Sequence, residues 1–294
     1  MQNKPIISII TPIYKGNKYI PGLLKMVQQN AKNFEEGWIE LVLVNDSPEI
    51  ELNVDKTIIA GFSLQIVNNK KNLGIQGARI AGVEVSNGEY ILMLDQDDEI
   101  FYNTLSEQFN KLKGNSAVVS NGYFEDSDAK KISLYKSISQ QHLVNNLAFY
   151  CYYGNMIASP GICLIRKDKI PKIWKEHVMT INGADDWLLW VGYLLENQSF
   201  SMNHKHQYIH KKVGNNASDD EEKMIRSSIE ALEIVRSHVQ LSKEEDRLMK
   251  TYSRRLDMRL KILNNGIFNK IYQYLKNFDI AIYVLYFKFV GLFR

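Results

Sequence analysis

The chain has two cysteines, Cys151 and Cys163, in 294 residues. Two are too few for a disulfide framework, and their spacing fits no metal pattern, so both read as reduced thiols of the core. No apolar run reaches the ~18 residues a membrane-spanning helix needs; the longest late one, Ile280 to Phe287, is eight. The opening MQNKPIISIITPIYK holds a short apolar run broken by Pro12, with no small-residue cleavage site after it. It reads as a strand rather than a signal peptide, and the expected location is cytoplasmic. There is no internal repeat and no low-complexity linker. No G-x-x-x-x-G-K-[ST] occurs, and Gly74, Gly77 and Gly82 do not make G-x-G-x-x-G. A P-loop protein is thereby excluded and a dinucleotide-binding dehydrogenase poorly supported.

Charge of one sign is also scarce, at a net +3, until the chain is divided. Residues 1–246 carry 26 Lys/Arg against 31 Asp/Glu, whereas residues 247–294 carry 10 against 2. The body is mildly acidic, which argues against nucleic-acid binding by bulk charge, and the tail is strongly basic. Hydrophobic residues make up 45% and charged residues 23%. A chain of this size and composition buries a sizeable core, so disorder and collagen-like repeats are excluded.

The first hundred residues alternate two periods. Ile6–Ile10 (broken only by Ser8), Leu41–Val44 and Tyr90–Leu94 are short apolar runs that read as buried strands, and Leu64–Val67 reads as a further short strand. Between them, Tyr19–Gln29 and Gly74–Ser86 have helical periodicity, and residues 51–60 are also expected to be helical. Asn45-Asp46-Ser47-Pro48 and Asn87-Gly88 mark turns. This order predicts an α/β fold, with a mostly parallel (mixed) sheet and helices on both faces. Ligands bind such sheets beyond the carboxyl ends of the strands, which directs attention to Thr11, Asp46, Asn68 to Asn72 and Asp95 to Asp98. Further on, Thr104–Lys113 and Asp186–Glu196 read as helices, and Ala117–Asn121 and Gly161–Ile165 as strands. Asn215–Asp220 reads as a loop, and Glu221–Gly266 as helix with a stripe of Leu248, Tyr252, Leu256, Leu260 and Leu263. The expected division is a domain over 1–220, with halves 1–100 and 101–220, and a helical, basic, aromatic-rich extension over 221–294.

Leu92-Met93-Leu94-Asp95-Gln96-Asp97-Asp98 is the most informative stretch. A buried strand delivers three carboxylates within four residues, which is costly unless a cation or a hydrogen-bond network compensates. A divalent ion shared with substrate phosphates suits such a set; a solvated acidic turn is the plainer alternative.

Six pieces in order resemble the family 2 glycosyltransferases of the GT-A fold. They are Ile7-Ser-Ile-Ile-Thr-Pro-Ile-Tyr14, Leu43-Val-Asn-Asp46-Ser, Asn72-Leu-Gly74 with Gly77-Ala-Arg79, Gly88 to Asp98, Asp185-Asp186-Trp187-Leu-Leu-Trp190, and Tyr208-Ile-His210. The match covers roughly residues 5–218. The resemblance implies an inverting, metal-dependent transferase that uses a nucleotide-sugar, a UDP-sugar first among them. In that reading Thr11, Pro12, Tyr14 and Asp46 hold the nucleobase and ribose, and Asn72 and Arg79 face the nucleotide. Asp95 binds ribose and, with Asp97 and His210, holds Mn²⁺ or Mg²⁺. Asp98 supports the metal or acceptor side. Asp186 is the general base, with Asp185 supporting it. His204 and His206 are alternatives to His210. Asn216 and Ser218 are loop contacts, and Gly154 and Gly161 bracket an acceptor-side loop. Trp187 and Trp190 either stack on a sugar or belong to the core. The chain departs from the family in having Lys15 where Asn is usual, a single acid at Asn45-Asp46-Ser47-Pro48, and Asp185 where Glu is preferred. The rival readings are a nucleotidyltransferase that forms nucleotide-sugars and a non-catalytic glycan- or nucleotide-binding scaffold.

After Gly266 the chain holds nine of its 32 aromatic residues in 28 positions, with Lys270, Lys276, Lys288 and Arg294. Aromatics with bases and little acid describe a segment lying in a headgroup plane, helped by Arg254, Arg255, Arg259 and Lys261. Together with the habit of the family the chain resembles, that implies a lipid-linked glycan acceptor in cell-surface polysaccharide synthesis and a peripheral place on the inner face of the cell membrane. The alternative is a helical pair packed within the chain or in a subunit interface.

Overall fold

The apolar runs of the first hundred residues form one half of a sheet that has nine strands among the described residues, with Leu64–Val67 on the edge strand. In the computed structural model, residues 5–112, 114–212, 220–263 and 267–292 are described. Strands β1 (Pro5–Ile13), β2 (Trp38–Asn45), β3 (Phe62–Asn68) and β4 (Tyr90–Met93) are parallel, in the order β3-β2-β1-β4. Ile9, Ile10, Leu41 and Leu43 are wholly removed from water, as central parallel strands covered on both faces require. The crossovers carry α1 (Ile20–Lys32) and α2 (Gly74–Val85). Helix α1 buries Ile20, Leu23, Leu24 and Val27, the spacing of one helical face. Helix α2 approaches the sheet through Gly82, where a Cβ would stand 2.3 Å from Ile10 Cγ2 and 2.9 Å from Val44 Cγ2. At the opposite strand ends, buried Glu40 accepts from Ser8 Oγ at 2.6 Å and from Asn87 N and Nδ2, each at 2.8 Å. This pins the Asn87-Gly88 turn to β1 and β2.

Beyond β4 the sheet is mixed. Strands β5 (Glu99–Ile100), β6 (Ala117–Glu125), β7 (Lys131–Ser133), β8 (Cys163–Arg166) and β9 (Phe200–Lys211) continue it in the order β4-β8-β6-β9-β5, with β7 beside β6. Here only the β6–β9 pair is parallel. Helix α3 (Thr104–Phe109) sets Phe109 edge-on to Phe34 and Tyr90. Two expectations are corrected. Residues 51–60 are not an α-helix: among mostly exposed residues they form one 3₁₀ turn, Lys56–Ile58, capped by Asp55 accepting from Thr57 N. Phe200–Lys211, which the sequence does not announce as a strand, is the long β9 that carries His210.

The chain divides into two compact units. The sheet and α1–α3 lie in the first, made of the described residues within Met1–Leu134, Ser159–Ile170 and Ser199–Gly214. The second, Tyr135–Ala158, Pro171–Gln198 and the described residues within Asn215–Arg294, is helical. These divisions fall elsewhere than at residues 100 and 220. The second unit contains α4 (Ile138–His142), α5 (Leu147–Tyr152), α6 (Lys172–Glu176), α7 (Asp185–Leu195), α8 (Glu221–His238), α9 (Lys243–Leu263), α10 (Ile267–Lys276) and α11 (Phe278–Val290). Trp174, Trp187, Trp190, Tyr150 and Tyr193 are its largest fully buried side chains. Helix α9 buries Met249, Thr251, Tyr252, Leu256 and Met258, while Leu263, at the end of the expected stripe, is exposed. Helix α11 packs one face within this unit: Tyr283 stacks on Tyr152 at 4.0 Å, and Ser137 Oγ donates to Val290 O at 2.6 Å.

Candidate active site

In the first unit, the strand ends bring the expected residues together. Asp46 N donates to Ile13 O at 2.9 Å, and Leu94 N to Ile10 O at 2.9 Å, so the loops after β1, β2 and β4 are stitched side by side. Asp46 is buried and accepts from Asn69 Nδ2 and Leu73 N, each at 2.8 Å. Thr11 and Pro12 are buried beneath this loop cluster, and the Thr11 hydroxyl makes no hydrogen bond among the described residues. Tyr14 is exposed. Its loop is clamped by Gln96, whose Oε1 accepts from Tyr14 N at 3.1 Å. Lys15 holds a positive φ of 50° there, and its N–H donates to Ser47 Oγ at 2.9 Å. Exposed Asn72 accepts from Gly74 N at 2.8 Å, closing the turn into α2 at a glycine with φ 73°.

The three carboxylates after β4 are held in three different ways. Arg79 is 3% exposed, not the surface arginine its helix position allows, and its Nη2 lies 2.6 Å from Asp95 Oδ1. Asp98 is 3% exposed. It accepts from the Tyr208 hydroxyl in a short hydrogen bond, from Lys211 N at 3.0 Å, and faces His210 Nδ1 at 3.1 Å. Gly161 makes room for that tyrosine, since a Cβ there would stand 2.6 Å from Tyr208 Cε2. The hydrogen bond to Asp98 holds the His210 imidazole above its ordinary pKa, against the opposing effect of burial. Half-buried Asp97 has no side-chain partner among the described residues. Burial, then the charges of Asp98 and Asp95, push its carboxyl up to about 6.

Of the three histidines on β9, only His210 reaches this run among the described contacts. His206 stacks on Tyr123 at 4.2 Å and shares a 2.7 Å hydrogen bond with Ser133 Oγ, and His204 is exposed. Among the described residues no group of three or more His, Cys, Asp or Glu side chains is arranged to hold a metal ion. A site completed by substrate phosphates needs only one or two protein ligands. Asp97 and a histidine whose other nitrogen faces a carboxylate match that donor set.

In the second unit, α7 starts with the acidic pair, where the helix dipole favours negative charge. Asp185 is buried; Asp186 is half-buried. Asp186 Oδ2 accepts from Asn155 Nδ2 at 2.7 Å, and Oδ1 accepts from Trp187 N at 2.8 Å. Trp187 and Trp190 are core residues, each 1% exposed. Trp187 stacks on Tyr252 at 4.2 Å and donates from Nε1 to Tyr150 O at 3.1 Å, which decides between its two readings. Cys151 and Cys163 are free and buried, as expected, and burial pushes the Cys151 thiol up to about 12. Asn216 and Ser218 lie outside the described residues. Sequence reasoning missed Asn155, whereas Asn69 and Gln96 fell within the strand-end stretches it pointed to without being given a role. The one available signal for Asn155 was its place directly after Gly154.

The model of Glycosyl transferase family 2 matches residues 8–174. An uncharacterized glycosyltransferase of Haemophilus influenzae is 30% identical over 155 residues, 50% of this chain and 60% of its own. The glycosyltransferase GlyG of Streptococcus pneumoniae is 28% identical over 135 residues, 42% of this chain and 41% of its own. The chain therefore spans less than two thirds of these relatives. The crystal structure of S. aureus TarS 1-349 in complex with UDP-GlcNAc matches with a TM-score of 0.59 at 17% identity, covering 85% of this chain and 72% of that one. At that identity the likeness speaks to the fold, which is the GT-A type. On the extent of the family match, the chain belongs to glycosyl transferase family 2.

Proposed function

We propose that the chain is an inverting, metal-dependent glycosyltransferase that moves a sugar from a UDP-sugar to a lipid-linked glycan acceptor in cell-surface polysaccharide synthesis. One observation carries this reading: Asp97 stands without a side-chain partner between two carboxylates that the protein itself has neutralised or saturated. The Tyr14 loop and Asp46, over buried Thr11 and Pro12, take the base, and Asn72 flanks the nucleotide. Asp95 takes the ribose, with Arg79 acting through it. Asp97 and His210 Nε2, with Asp95 beside them, are the groups that hold Mn²⁺ or Mg²⁺. Such an ion, when bound, neutralises the charge of the diphosphate leaving group. Asp98 fixes the ring of His210 through Nδ1. In the second unit Asp186 takes the proton of the acceptor hydroxyl, as a single displacement with inversion requires, and buried Asp185 supports it. The test is donor hydrolysis across a panel of sugar nucleotides with Mn²⁺. A UDP-sugar is expected to turn over, and silence with every donor overturns the reading.

The proposed membrane role rests on the exposed face of α10 and α11. Phe268, Leu275 and Leu285 are 85%, 70% and 64% exposed, with Lys270, Lys276 and Lys288 also facing water. Among the described residues no helix is long and apolar enough to cross a membrane. A face of this composition lies in the headgroup layer, at the inner surface of the cell membrane. Replacing Phe268, Leu275 and Leu285 together by Ser in the full chain is expected to cut co-sedimentation with phosphatidylglycerol vesicles about tenfold or more. Undiminished binding rejects the membrane role.

A further inference from the structure

Helix α9 carries four bases between Arg254 and Lys261, and three of them are neutralised. Arg254 pairs with Asp279, Arg259 with Glu221 at 3.1 Å, and Lys261 with Asp257 at 2.6 Å. Arg255 makes no ion pair and no hydrogen bond among the described residues. Its guanidinium lies against Gly154: a Cβ built there would stand 2.9 Å from Nη2 and 3.4 Å from both Cζ and Nη1. Gly154 holds a φ of +130°, so both its missing side chain and its backbone are fitted to this contact. The ionisable groups that act most on Arg255 are the phenols of Tyr252, Tyr274 and Tyr153 and the guanidinium of Arg259. Burial lowers its pKa, but an arginine stays charged in protein.

A charge withdrawn from water without a counter-ion is costly. Its place therefore calls for an explanation. The next residue after Gly154 is Asn155, whose Nδ2 bonds Ile157 O and Asp186 Oδ2. Arg255 thus stands one residue from the amide that orients the acid at the start of α7. The residue as a whole is half-buried. The fork of N–H donors in a guanidinium matches phosphate oxygens, and Tyr153 and Tyr274, both half-buried, supply further hydroxyls nearby.

We propose that Arg255 is the anion contact of an acceptor subsite in the second unit, where it binds the phosphate group of the molecule presented to Asp186. The inference rests on the base role proposed for Asp186. It adds to it the chemical class of the acceptor, a phosphate ester.

The test uses the full chain in EDTA, so that no divalent ion bridges probe and protein. Decyl phosphate, inorganic phosphate and uncharged decyl maltoside are titrated calorimetrically below their micelle-forming concentrations. Arg255→Gln is expected to weaken decyl phosphate about tenfold, the loss of a charge-assisted hydrogen bond, and to leave decyl maltoside unchanged. Arg255→Lys keeps the charge and loses the fork, so it falls between; it carries the test if the glutamine variant does not fold. Added UDP is expected not to displace decyl phosphate. Arg255-dependent binding of inorganic phosphate as tight as that of decyl phosphate assigns the subsite to a soluble phosphate ester, and tighter decyl phosphate assigns it to a lipid one. Decyl phosphate binding unchanged in Arg255→Gln, as expected of an arginine that only packs on tyrosines, overturns the proposal. So does displacement by UDP. Scored beside donor hydrolysis, Arg255-independent binding with normal turnover overturns this inference alone. Arg255-dependent binding without turnover overturns the transferase reading alone.

Discussion

The two acidic clusters of this chain are built on opposite plans. After β4, three carboxylates share a short turn, and the protein spends charge to fix two of them. Arg79 holds Asp95, and Asp98 takes the Tyr208 hydroxyl, the Lys211 N–H and the His210 ring. At the start of α7 the donors seen on Asp186 are amides, the Asn155 side chain and the Trp187 N–H. Amide donors hold the Asp186 carboxylate in a fixed orientation. A carboxylate held by several donors is fixed in place, although burial pushes the Asp98 carboxyl up. The first plan suits a site that must present several carboxylates at fixed positions, and the second suits a general base.

The sharpest way to break this comparison is to remove one acid from each cluster. Asp186→Asn is expected to slow sugar transfer by about 10²–10⁴, the usual worth of a positioned base. UDP affinity in the presence of Mn²⁺ should stay unchanged. Asp97→Asn is expected to do the reverse to binding, lowering Mn²⁺-dependent UDP affinity. Single-turnover rates and calorimetry on both variants check this, and normal transfer by Asp186→Asn would sink the assignment.

A smaller effect is expected inside the β4 cluster. Tyr208→Phe removes one donor from a buried carboxylate and leaves Lys211 N and His210 in place. Hydrogen bonds to charged groups contribute about 1.5–3 kcal/mol, and urea unfolding should show a loss in that range. A loss below about 0.5 kcal/mol would mean that Tyr208 merely fills space beside Gly161, contrary to the reading that its hydroxyl anchors Asp98.

How much of this was legible in the sequence follows from where side chains go. Leu41–Val44 and Tyr90–Met93 are continuous apolar runs, and Ile7–Ile10 is broken only by Ser8, because both faces of their strands are covered, so they show without alignment. Strand β9 does not show: His204, Lys205 and His206 interrupt it, and its burial does not alternate. Residues 51–60 mislead because Val54, Ile58 and Ile59 mimic a helical face yet are only half-buried. Within the site, Asp95, Asp97, Asp98 and Asp186 were visible as unusual chemistry at strand and helix ends. The roles of Asn69, Gln96 and Asn155 were not, since an amide that holds an acid or a loop backbone across 23 to 82 residues of sequence leaves no local pattern. Arg79 was read as facing the nucleotide, and its burial against Asp95 became visible only in three dimensions.

The smallest predicted effect tests the unpartnered member of the β4 run. Asp97 has a folded-state pKa of about 6, above the ordinary aspartate value, because of burial and the charges of Asp98 and Asp95. Between about pH 4 and 6 the folded chain therefore holds a proton that the unfolded chain has released. The sign follows: this aspartate favours the fold below the window, and that contribution is lost as pH rises through it. Each pKa unit corresponds to about 1.4 kcal/mol, and discounting for the exposed part of the group leaves about 1–2 kcal/mol. In EDTA, the stability of the wild type relative to Asp97→Asn should fall by that amount from pH 4 to pH 6.5 and then level off. Mn²⁺ competes with the proton for the same oxygens, so its stabilising shift in melting temperature should be small at pH 5 and full at pH 7.5. A wild-type-minus-variant difference that stays flat with pH would show that Asp97 is already compensated within the fold, and with it would go the contrast between a carboxylate left open and two that are locked.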